Sequence, residues 1–449
     1  MINGMIGLEI HCYLVTKEKL FCRCKATRER GTKPNTLICP VCCGIPGAKP
    51  MLPNKAAVEK AVQIGLLLGC EIQTLLPWRR KHYDWPDLPK GYQQTLSGPH
   101  AFPVGIQGKF LGITISSMHL EEDPASWTPD TGAIDYNRSG LPLVEIITAP
   151  EFSTAEEVRD WLKKLLHALA YLHIVDTNAG IKVDVNVNIP GKTARVEVKN
   201  LNSLESIGQS IDYELDRQQR EGGKQQETRR YDESSGKTMK MRSKEDQEDY
   251  RFMQEPDLPP IVLDNPFIIR LKKQMPETPE QKLKKLVSHY NIDARNAALL
   301  AKHLDVVEFF ERVAQHIKPE FALSWVTVEL LRLLNEHKKR LDELDIQVDH
   351  FVALLKLVQE GTITPLQAKQ LLKEFYPRSF IPKLSEKIND PVLLKKIILN
   401  ILEKHSKAVE DYKSGEKKSF DFLLGEIMKK TEKRADYKVA RKLLMDMLK

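Results

Sequence analysis

The hydrophobic pattern of this 449-residue chain changes its period near residue 265. Before that point, short apolar runs alternate with polar residues and are broken by Gly, Pro and Asn, as is typical of β-strands. After Pro276-Glu-Thr-Pro, apolar residues recur at helical spacing to the end of the chain. The sequence therefore predicts an α+β fold, in which a mixed-sheet domain is followed by an all-helical domain and a helical tail domain.

Particular segments fit these two patterns closely. Period-2 alternation predicts strands at residues 6–14, 110–115, 143–147, 182–188 and 195–199. Helical spacing with start signals predicts helices at residues 55–68, 155–172 and 204–220. Residues 81–95, rich in Pro, Gly and aromatic side chains, fit neither pattern, and we expect a shaped functional loop there.

The predicted domain boundaries follow changes in composition. We assign residues 1–290 to the sheet domain, 291–385 to the helical domain and 386–449 to the tail. The tail carries 16 Lys and Arg against 11 Asp and Glu, which is +5 of the net charge of +7. This excess is compatible with a polyanionic partner, and it is equally compatible with a solvated helical face.

The sequence shows no feature of a membrane or secreted protein. The longest apolar run, near residues 64–68, is far shorter than the roughly 18 residues of a membrane span. The amino terminus lacks the basic segment and apolar core of a signal peptide. We therefore expect a cytoplasmic protein with no membrane partner.

Five of the seven cysteines cluster near the amino terminus. Disulfides are rare in the cytoplasm, so metal ligation is the more suitable role for them. Cys22-Arg-Cys24 and Cys39-Pro-Val-Cys42 have the spacing of a four-thiolate zinc knuckle, in which four protein ligands leave no open coordination position. We expect a structural zinc ion there, with unligated cysteines or a redox pair as alternatives. Cys43 could replace Cys42, although the two-residue spacing favours Cys42.

Acidic side chains interrupt several of the predicted strands. Glu9 and His11 are two residues apart and share one strand face. Glu145 and Asp184 each stand in an otherwise apolar run, and Met118-His-Leu-Glu-Glu-Asp adds three consecutive acids. Buried carboxylates need partners, and carboxylate oxygens with one imidazole suit Mg²⁺ presented to a nucleotide phosphate. The alternative is that each acid meets an arginine or faces water.

Phosphate binding would have to use isolated basic residues. The sequence has no Walker-type phosphate loop, kinase loop or dinucleotide-binding glycine fingerprint. Any single basic residue could equally be a surface charge. The candidates for binding ATP phosphates are Arg138, Lys199, Arg229 and Arg230.

Seven sequence blocks resemble, in the same order, those of a known enzyme family. They are Ile6-Gly-Leu-Glu-Ile-His, Pro86-Asp-Leu-Pro-Lys-Gly-Tyr-Gln, His119-Leu-Glu-Glu-Asp, Asp135-Tyr-Asn-Arg-Ser-Gly-Leu-Pro-Leu-Val-Glu-Ile, Val198-Lys-Asn-Leu-Asn-Ser, Gln226-Glu-Thr-Arg-Arg-Tyr-Asp-Glu and Asp249-Tyr-Arg-Phe-Met-Gln-Glu-Pro-Asp-Leu-Pro-Pro. Together they make the chain similar to the B subunits of the tRNA-dependent amidotransferases that act on Glu-tRNA(Gln) and Asp-tRNA(Asn). The resemblance covers nearly the whole chain.

The resemblance implies an activity and a set of partners. ATP would phosphorylate the side-chain carboxylate of a glutamyl or aspartyl residue on misacylated tRNA, and ammonia would displace the phosphate to give the amide. An amidase-type A subunit would release that ammonia from glutamine, and a small C subunit would complete a heterotrimer. The sheet domain would form a cradle around the reaction site, and the helical and tail domains would bind tRNA.

The resemblance also implies residue roles. The family's Mg²⁺ ligands at the catalytic site fall on Glu9, His11, Glu121 and Glu145, with Asp184 at a further acidic position. Glu122 could replace Glu121, because neighbours on a strand face opposite ways. The loop around Lys90 would line the path of ammonia.

Two other functions remain compatible with the sequence. A non-catalytic zinc-containing tRNA-binding protein would have the same knuckle and basic tail, but it would tolerate Glu121→Gln and Glu145→Gln. A self-sufficient ligase would use free ammonia without partner subunits. Between Glu-tRNA and Asp-tRNA the sequence gives no preference, because the choice depends on which misacylating synthetase is present.

Overall fold

The computed structural model describes residues 2–28, 31–98, 101–176, 180–243, 250–382, 391–431 and 435–448. The chain divides into two compact units, Met1–Pro276 and Glu277–Lys449. The three-domain division given above stays a prediction, and its second boundary, between residues 385 and 386, lies outside the described residues. No helix in the described ranges is both long enough and apolar enough to cross a membrane.

The first unit combines many short strands with four helices in its described part. Its strands are β1 (Met5–Tyr13), β2 (Glu71–Ile72), β3 (Leu75–Leu76), β4 (Arg79–His82), β5 (Tyr92–Thr95), β6 (Gly105–Phe110), β7 (Ile113–Glu122), β8 (Ser126–Thr128), β9 (Ala133–Asp135), β10 (Pro142–Thr148), β11 (Lys182–Asn188), β12 (Val196–Leu201), β13 (Glu227–Asp232), β14 (Lys237–Ser243), β15 (Arg251–Gln254) and β16 (Ile261–Val262). Its helices are α1 (Lys55–Leu67), α2 (Ala155–Tyr171), α3 (Leu204–Glu221) and α4 (Asn265–Gln274).

Among the described residues, twelve of these strands form one large sheet. Its main path runs β14-β13-β12-β11-β1-β10-β7-β5-β4-β15, and β6 pairs with both β7 and β2. Strands β12 and β13 are parallel, whereas β11–β12 and β13–β14 are antiparallel, so the mixed sheet predicted from the sequence is confirmed. Strand β1 lies inside this order, with β10 on one side and β11 on the other.

The two faces of the sheet differ in their chemistry. Leu8 and Ile10 of β1 are buried in the same apolar core as Leu162 of α2, so helices cover this face. Glu9 and His11 alternate with these residues and point to the opposite face. Burying each aliphatic side chain contributes about 1.5–3 kcal/mol to the free energy of folding. A shift of the β1 pairing register by one residue would move these side chains to the opposite face and lose that contribution. The apolar residues therefore fix the register that directs the polar pair outward.

The three helices predicted before residue 265 are confirmed to within one residue at each end. The start of α2 shows why the sequence was informative. The side chain of Thr154 accepts a hydrogen bond from the backbone N–H of Glu157, and the Glu157 side chain bonds back to the Thr154 backbone. This capping box satisfies backbone donors that the first helical turn leaves free.

The single strand predicted at residues 110–115 is wrong. Strand β6 ends at Phe110 and β7 begins at Ile113. The two residues between them, Leu111 and Gly112, form a hairpin turn with φ angles of 47° and 89°. Two consecutive residues with positive φ angles are typical of a tight hairpin turn. Leucine rarely adopts a positive φ angle, so the sequence pattern contained no indication of a turn at Leu111.

The segment at residues 81–95 is part strand and part loop. Its ends belong to β4 and β5, which pair in antiparallel fashion. Residues 83–91 form the irregular connection between them. The loop is therefore shorter than the sequence indicated. The short strands at its ends were not predicted, because the nearby prolines are typical of loops.

The second unit is helical in its described elements. Its helices are α5 (Pro279–Ser288), α6 (Ala294–Leu300), α7 (Leu304–Ala314), α8 (Pro319–Ser324), a π-helix (Trp325–Leu330), α9 (Leu331–His337), a 3-10 helix (Leu341–Glu343), α10 (Val348–Gln359), α11 (Pro365–Lys373), α12 (Pro391–Lys404), α13 (Ser406–Lys413), α14 (Lys417–Lys430) and α15 (Tyr437–Leu448). Thr278 and Thr364 cap α5 and α11, each directly before a proline at the first helical position. Helices α12, α14 and α15 share an apolar core that contains Leu394, Leu423 and Leu444.

Candidate active site

Strand pairing brings four predicted site residues onto one face of the sheet. His11 of β1 lies directly opposite Glu145 of β10. On the other side of the same strand, Glu9 lies opposite Asp184 of β11. Directly opposite residues on antiparallel strands point to the same face. All four side chains therefore share the face that the helices leave open.

Glu9, His11 and Glu145 form a compact group. The Nε2 atom of His11 lies 3.8 Å from Oε1 of Glu9 and 3.6 Å from Oε1 of Glu145. One possible ligand atom from each residue lies within 4.8 Å of the other two. In the described part of the chain, His11 is the one basic side chain within ion-pair distance of either carboxylate. Two carboxylates and an imidazole at this spacing can hold a divalent cation.

The acidity of these groups reflects their burial and mutual repulsion. Burial and the charge of Glu145 raise the pKa of Glu9 to about 8. Burial opposes the ionisation of His11, but the hydrogen bond and charge of Glu145 raise the pKa of His11 to about 9. Burial also opposes the ionisation of Glu145, but hydrogen bonds with His11 and Glu9 hold its pKa below the usual range. The raised pKa values mean that protons bound to Glu9 and His11 offset the negative charge of the group. A divalent cation could occupy the group by replacing these protons.

Glu121 is oriented toward this group, whereas Glu122 is not. The Oε2 atom of Glu121 accepts a hydrogen bond from Oγ1 of Thr95 at 3.0 Å. Burial, followed by the charge of Glu145, raises the pKa of Glu121 to about 7. The carboxylate of Glu122 is ion-paired with the ammonium group of Lys90 instead. The geometry therefore favours Glu121 as the residue that accompanies the cation site.

A second acid group contains a residue that sequence analysis missed. Glu9, Asp184 and Glu197 each place one oxygen within 4.8 Å of the others. The Nζ atom of Lys199 lies 3.0 Å from Oδ2 of Asp184 and 2.6 Å from Oε1 of Glu197. Burial alone would raise the pKa of Asp184, but the charge of Lys199 lowers it. A signal for Glu197 was present, because it precedes Lys199 by two residues in an alternating strand and so shares its face.

The two basic residues predicted on β13 lie on opposite faces of the sheet. The Nη1 atom of Arg229 lies 2.8 Å from Oε2 of Glu227. Its Nε atom lies 3.6 Å from Oε2 of Glu214 in α3, on the helix-covered face. Arg230 is exposed and pairs with Lys199 across the parallel β12–β13 ladder. Of the two arginines, the structure brings only Arg230 to the face of the acid groups.

Arg138 is held by the segment that precedes β8. Its Nε atom donates to the carbonyl oxygen of Pro124 at 3.0 Å, and its Nη2 atom donates to that of Ala125 at 2.5 Å. The Nε atom also lies 3.2 Å from Oδ2 of Asp123. These contacts fix the guanidinium on its loop, and the partly exposed side chain can still offer a further donor.

The four predicted zinc ligands converge. Sulfur atoms of Cys22, Cys24, Cys39 and Cys42 all lie within 4.8 Å of one another. The Cys42 sulfur is 3.8 Å from that of Cys39 and 4.0 Å from that of Cys24. A tetrahedral site with Zn–S bonds of about 2.3 Å separates its sulfurs by roughly 3.8 Å, so the spacing fits zinc. This group includes Cys42 and not Cys43, which favours the predicted ligand set.

A buried lysine near the cysteines favours an ionised thiolate at Cys42. Lys19 is fully buried, and its Nζ atom donates to the carbonyl oxygen of Tyr136 at 3.1 Å. A hydrogen bond from Cys22 and the charge of Lys19 both lower the pKa of Cys42, to about 4. The same hydrogen bond and burial raise the pKa of Cys22, and burial raises the pKa of Cys24 to about 12. A buried ammonium group needs a negative partner, and four thiolates around Zn²⁺ leave net negative charge to provide it.

Sequence analysis also missed an ionic network where β4, β5 and β15 meet. The guanidinium of Arg80 makes two contacts with the fully buried carboxylate of Glu255, at 2.7 and 2.9 Å. The Nε2 atom of Gln94 donates to the same carboxylate at 2.9 Å, and its Oε1 atom accepts from Lys90 at 2.8 Å. Side-chain hydrogen bonds therefore connect Glu255 to the loop that carries Lys90.

Known proteins share both parts of this chain. Residues 4–269 match the family model of the GatB/GatE catalytic domain, and residues 308–448 match that of the GatB domain. The B subunit of the aspartyl/glutamyl-tRNA(Asn/Gln) amidotransferase of Methanocaldococcus jannaschii is 41% identical, over 98% of this chain and 97% of its own. Proteins of the same name from Methanopyrus kandleri and Methanobrevibacter smithii are 38% and 39% identical. These alignments cover 100% and 96% of this chain, and 99% and 97% of the relatives.

Proposed function

This chain belongs to the GatB/GatE family of tRNA-dependent amidotransferase subunits, and from that membership we propose that it performs the ATP-dependent step of such an enzyme. In this proposal it phosphorylates the side-chain carboxylate of the glutamyl or aspartyl residue on Glu-tRNA(Gln), Asp-tRNA(Asn) or both. The acyl phosphate then reacts with ammonia to give Gln-tRNA(Gln) or Asn-tRNA(Asn). A match to a catalytic domain over residues 4–269 disfavours a purely RNA-binding role.

The observation that carries the proposal is the group of Glu9, His11 and Glu145 on the open face of the sheet. Phosphoryl transfer needs charge neutralisation more than it needs a nucleophilic side chain, because the substrate carboxylate already attacks as an anion. These three residues, with Glu121 beside them, would hold Mg²⁺. The ion would neutralise the charge that spreads over the transferring phosphoryl group.

Basic residues on the same face suit the phosphates of ATP. Lys199, held by Asp184 and Glu197, and the exposed Arg230 are the nearest candidates, and Arg138 is a further one on its loop. In the first step, a substrate carboxylate oxygen attacks the γ-phosphorus and ADP leaves. In the second step, ammonia attacks the carbonyl carbon, phosphate leaves, and the nitrogen loses a proton.

The proposal includes partners in the cytoplasm. An amidase-type A subunit would supply ammonia from glutamine, with a small C subunit completing the heterotrimer, and the loop around Lys90 would line the route of ammonia. The excess of positive charge in residues 386–449 suits contact with the misacylated tRNA, which would weaken as salt rises. Cys22, Cys24, Cys39 and Cys42 would bind a structural zinc ion.

A reconstituted complex tests this function. The chain is co-purified with its A and C subunits and supplied with ATP, Mg²⁺, glutamine and each misacylated tRNA in turn. We expect amide formation by the parent complex and a loss of about 10²-fold or more in Glu145→Gln, with tRNA affinity unchanged. The matched control is Glu156→Gln, which changes an exposed acid in the first turn of α2.

Two outcomes would contradict the proposal. Parent-level amide formation by Glu145→Gln would mean that the acid group is structural, as in a tRNA-binding protein without catalysis. Equal rates for the chain alone with ammonium and for the full complex with glutamine would indicate a self-sufficient ligase.

A further inference from the structure

The cysteine knuckle, defined here as residues 21–28 and 31–44, packs tightly on the loop that carries Lys90. Gly44 has a φ angle of 66°, and a methyl group added there would lie 2.3 Å from the carbonyl oxygen of Pro89. The same methyl group would lie 2.9 Å from the backbone nitrogen of Lys90. Because these are backbone atoms, no side-chain rotation can relieve the collision. The end of the knuckle and the backbone of the loop are therefore in direct contact.

The beginning of the knuckle contacts the same lysine. The Nζ atom of Lys90 lies 5.9 Å from the ring centroid of Phe21, which directly precedes the first zinc ligand. That ammonium group is ion-paired with Glu122 and donates to Gln94 at 2.8 Å. Glu122 adjoins Glu121 on β7 but points to the opposite face of the sheet, so the loop held by the knuckle is bound to the strand that carries Glu121.

The knuckle also bonds to the segment that carries Arg138. The backbone N–H of Thr36 donates to Oδ1 of Asn137 at 3.0 Å. The hydroxyl group of Ser139 donates to the carbonyl oxygen of Cys42 at 2.8 Å. Zinc coordination by four cysteines requires neither contact. The knuckle thus touches two separate segments that carry candidate site residues.

We propose that the four-cysteine centre is a positioning element for the reaction site, in which the zinc-bound knuckle clamps the Lys90 loop and the Arg138 segment against the sheet. This inference rests on the proposed function, because the clamped residues belong to that reaction. Residues 83–91 are irregular, so a rigid four-ligand centre in contact with them supplies order that the loop itself does not. Gly44 is the positioning residue, and it acts through Pro89 and Lys90.

Gly44→Ala and Gly47→Ala form a matched pair. Both glycines have positive φ angles, 66° and 88°, but a methyl group at residue 47 would meet nothing within 4 Å. In the complex with its partner subunits, Gly44→Ala should lower kcat for amide formation about ten- to hundredfold, as a misplacement of about 1 Å does. The KM for misacylated tRNA should not change, and Gly47→Ala should keep kcat within about twofold of the parent. Elemental analysis should find the parent zinc content in both.

Hydrogen–deuterium exchange provides a readout that is independent of activity. Exchange in residues 83–92 should rise in Gly44→Ala, and also in the parent chain after zinc is removed by a chelator. Exchange in α12 should stay the same in both cases. Parent-level protection of residues 83–92 in Gly44→Ala would overturn the proposal.

A double variant separates positioning from general damage. If Gly44 acts through Lys90, adding Gly44→Ala to Lys90→Met should lower kcat no further than Lys90→Met alone. An additive loss would overturn the proposal. Parent-level activity of Lys90→Met would overturn it as well, because the loop would then have nothing to position. No amide formation by the parent complex would instead refute the proposed function itself.

Discussion

The Nε2 atom of His11 lies 3.6 Å from the Oε1 atom of Glu145 across the neighbouring strands β1 and β10. The two residues are far apart in the sequence, and backbone pairing brings them together, so the sheet and not a loop sets their separation. Sites built on regular elements hold their ligands more rigidly than sites built on loops. Glu9, two residues along the same strand, completes a preformed group that could hold a divalent cation.

Replacing His11 by Gln should weaken cation binding. Because the carboxylates would lose their nitrogen partner, we expect the affinity for Mn²⁺, used as a spectroscopic probe for Mg²⁺, to fall by at least about tenfold. Titration with detection of free Mn²⁺ by electron paramagnetic resonance measures this. His316→Gln, an exposed change in the second unit, is the control. Equal affinities of His11→Gln and the parent chain would show that the imidazole is not a ligand.

The sequence predicted those features of the site that depend on a single strand. The alternation around Glu9 and His11 is a property of one strand, so their common face could be read from two-residue spacing. The contacts of these residues with Glu145 and Asp184 depend on the register of other strands, which no local pattern contains. The sequence therefore identified the members of the group without their pairing. Glu197 was missed although its spacing from Lys199 placed both on one face, because its approach to Glu9 and Asp184 depends on strand pairing.

The same limit explains the adjacent arginines of β13. Consecutive residues on a strand point to opposite faces, so the sequence already required Arg229 and Arg230 to differ. It could not show which of them meets the helices, because that depends on the pairing of β13 with β12. The convergence of the four cysteines, by contrast, was predictable from spacing alone, since each pair closes a short local turn.

Arg229 and Arg230 should respond differently to substitution by Met. Arg229→Met removes charged hydrogen bonds to Glu227 and Thr238, so the free energy of unfolding of the first unit should fall by about 1–3 kcal/mol. Arg230→Met should leave that stability within about 0.5 kcal/mol and raise the KM for ATP. Urea unfolding followed by tryptophan fluorescence measures the first effect, and steady-state kinetics of the complex measures the second. Equal stability of the two variants would contradict the assignment of faces.

Lys19→Met should weaken zinc binding without removing a ligand. The buried ammonium group would balance the negative charge of zinc-bound thiolates, and loss of such an outer partner typically costs about 10–100-fold in metal affinity. Competition with a chelator of known affinity measures the change. Lys17→Met is the control, because Lys17 is exposed two residues away. A zinc affinity of Lys19→Met equal to that of the control would show that the ammonium group has no such role.

The ion pair of Arg80 and Glu255 should make the first unit sensitive to acid. Burial alone would raise the pKa of Glu255, but hydrogen bonds from Arg80 lower it from 4.5. A carboxyl group with a lowered folded-state pKa contributes stability that is complete above pH 4.5 and is lost as the pH falls through the folded-state pKa. The free energy of unfolding should therefore decrease below that pH, and Glu255→Gln should show a smaller decrease.

Arg80→Leu should reverse the sign of this dependence. The variant leaves a buried carboxylate without its counter-ion, which should cost about 3–5 kcal/mol of stability at neutral pH and move the pKa of Glu255 above its ordinary value. A carboxyl group with a raised folded-state pKa binds protons more readily in the folded state, so stability should increase as the pH is lowered from 7 toward that value. Arg251→Leu, at an exposed position on β15, should follow the parent curve. Urea unfolding of the three proteins at several pH values measures these slopes, and parallel curves for Arg80→Leu and the parent would mean that Glu255 does not depend on Arg80 for its charge.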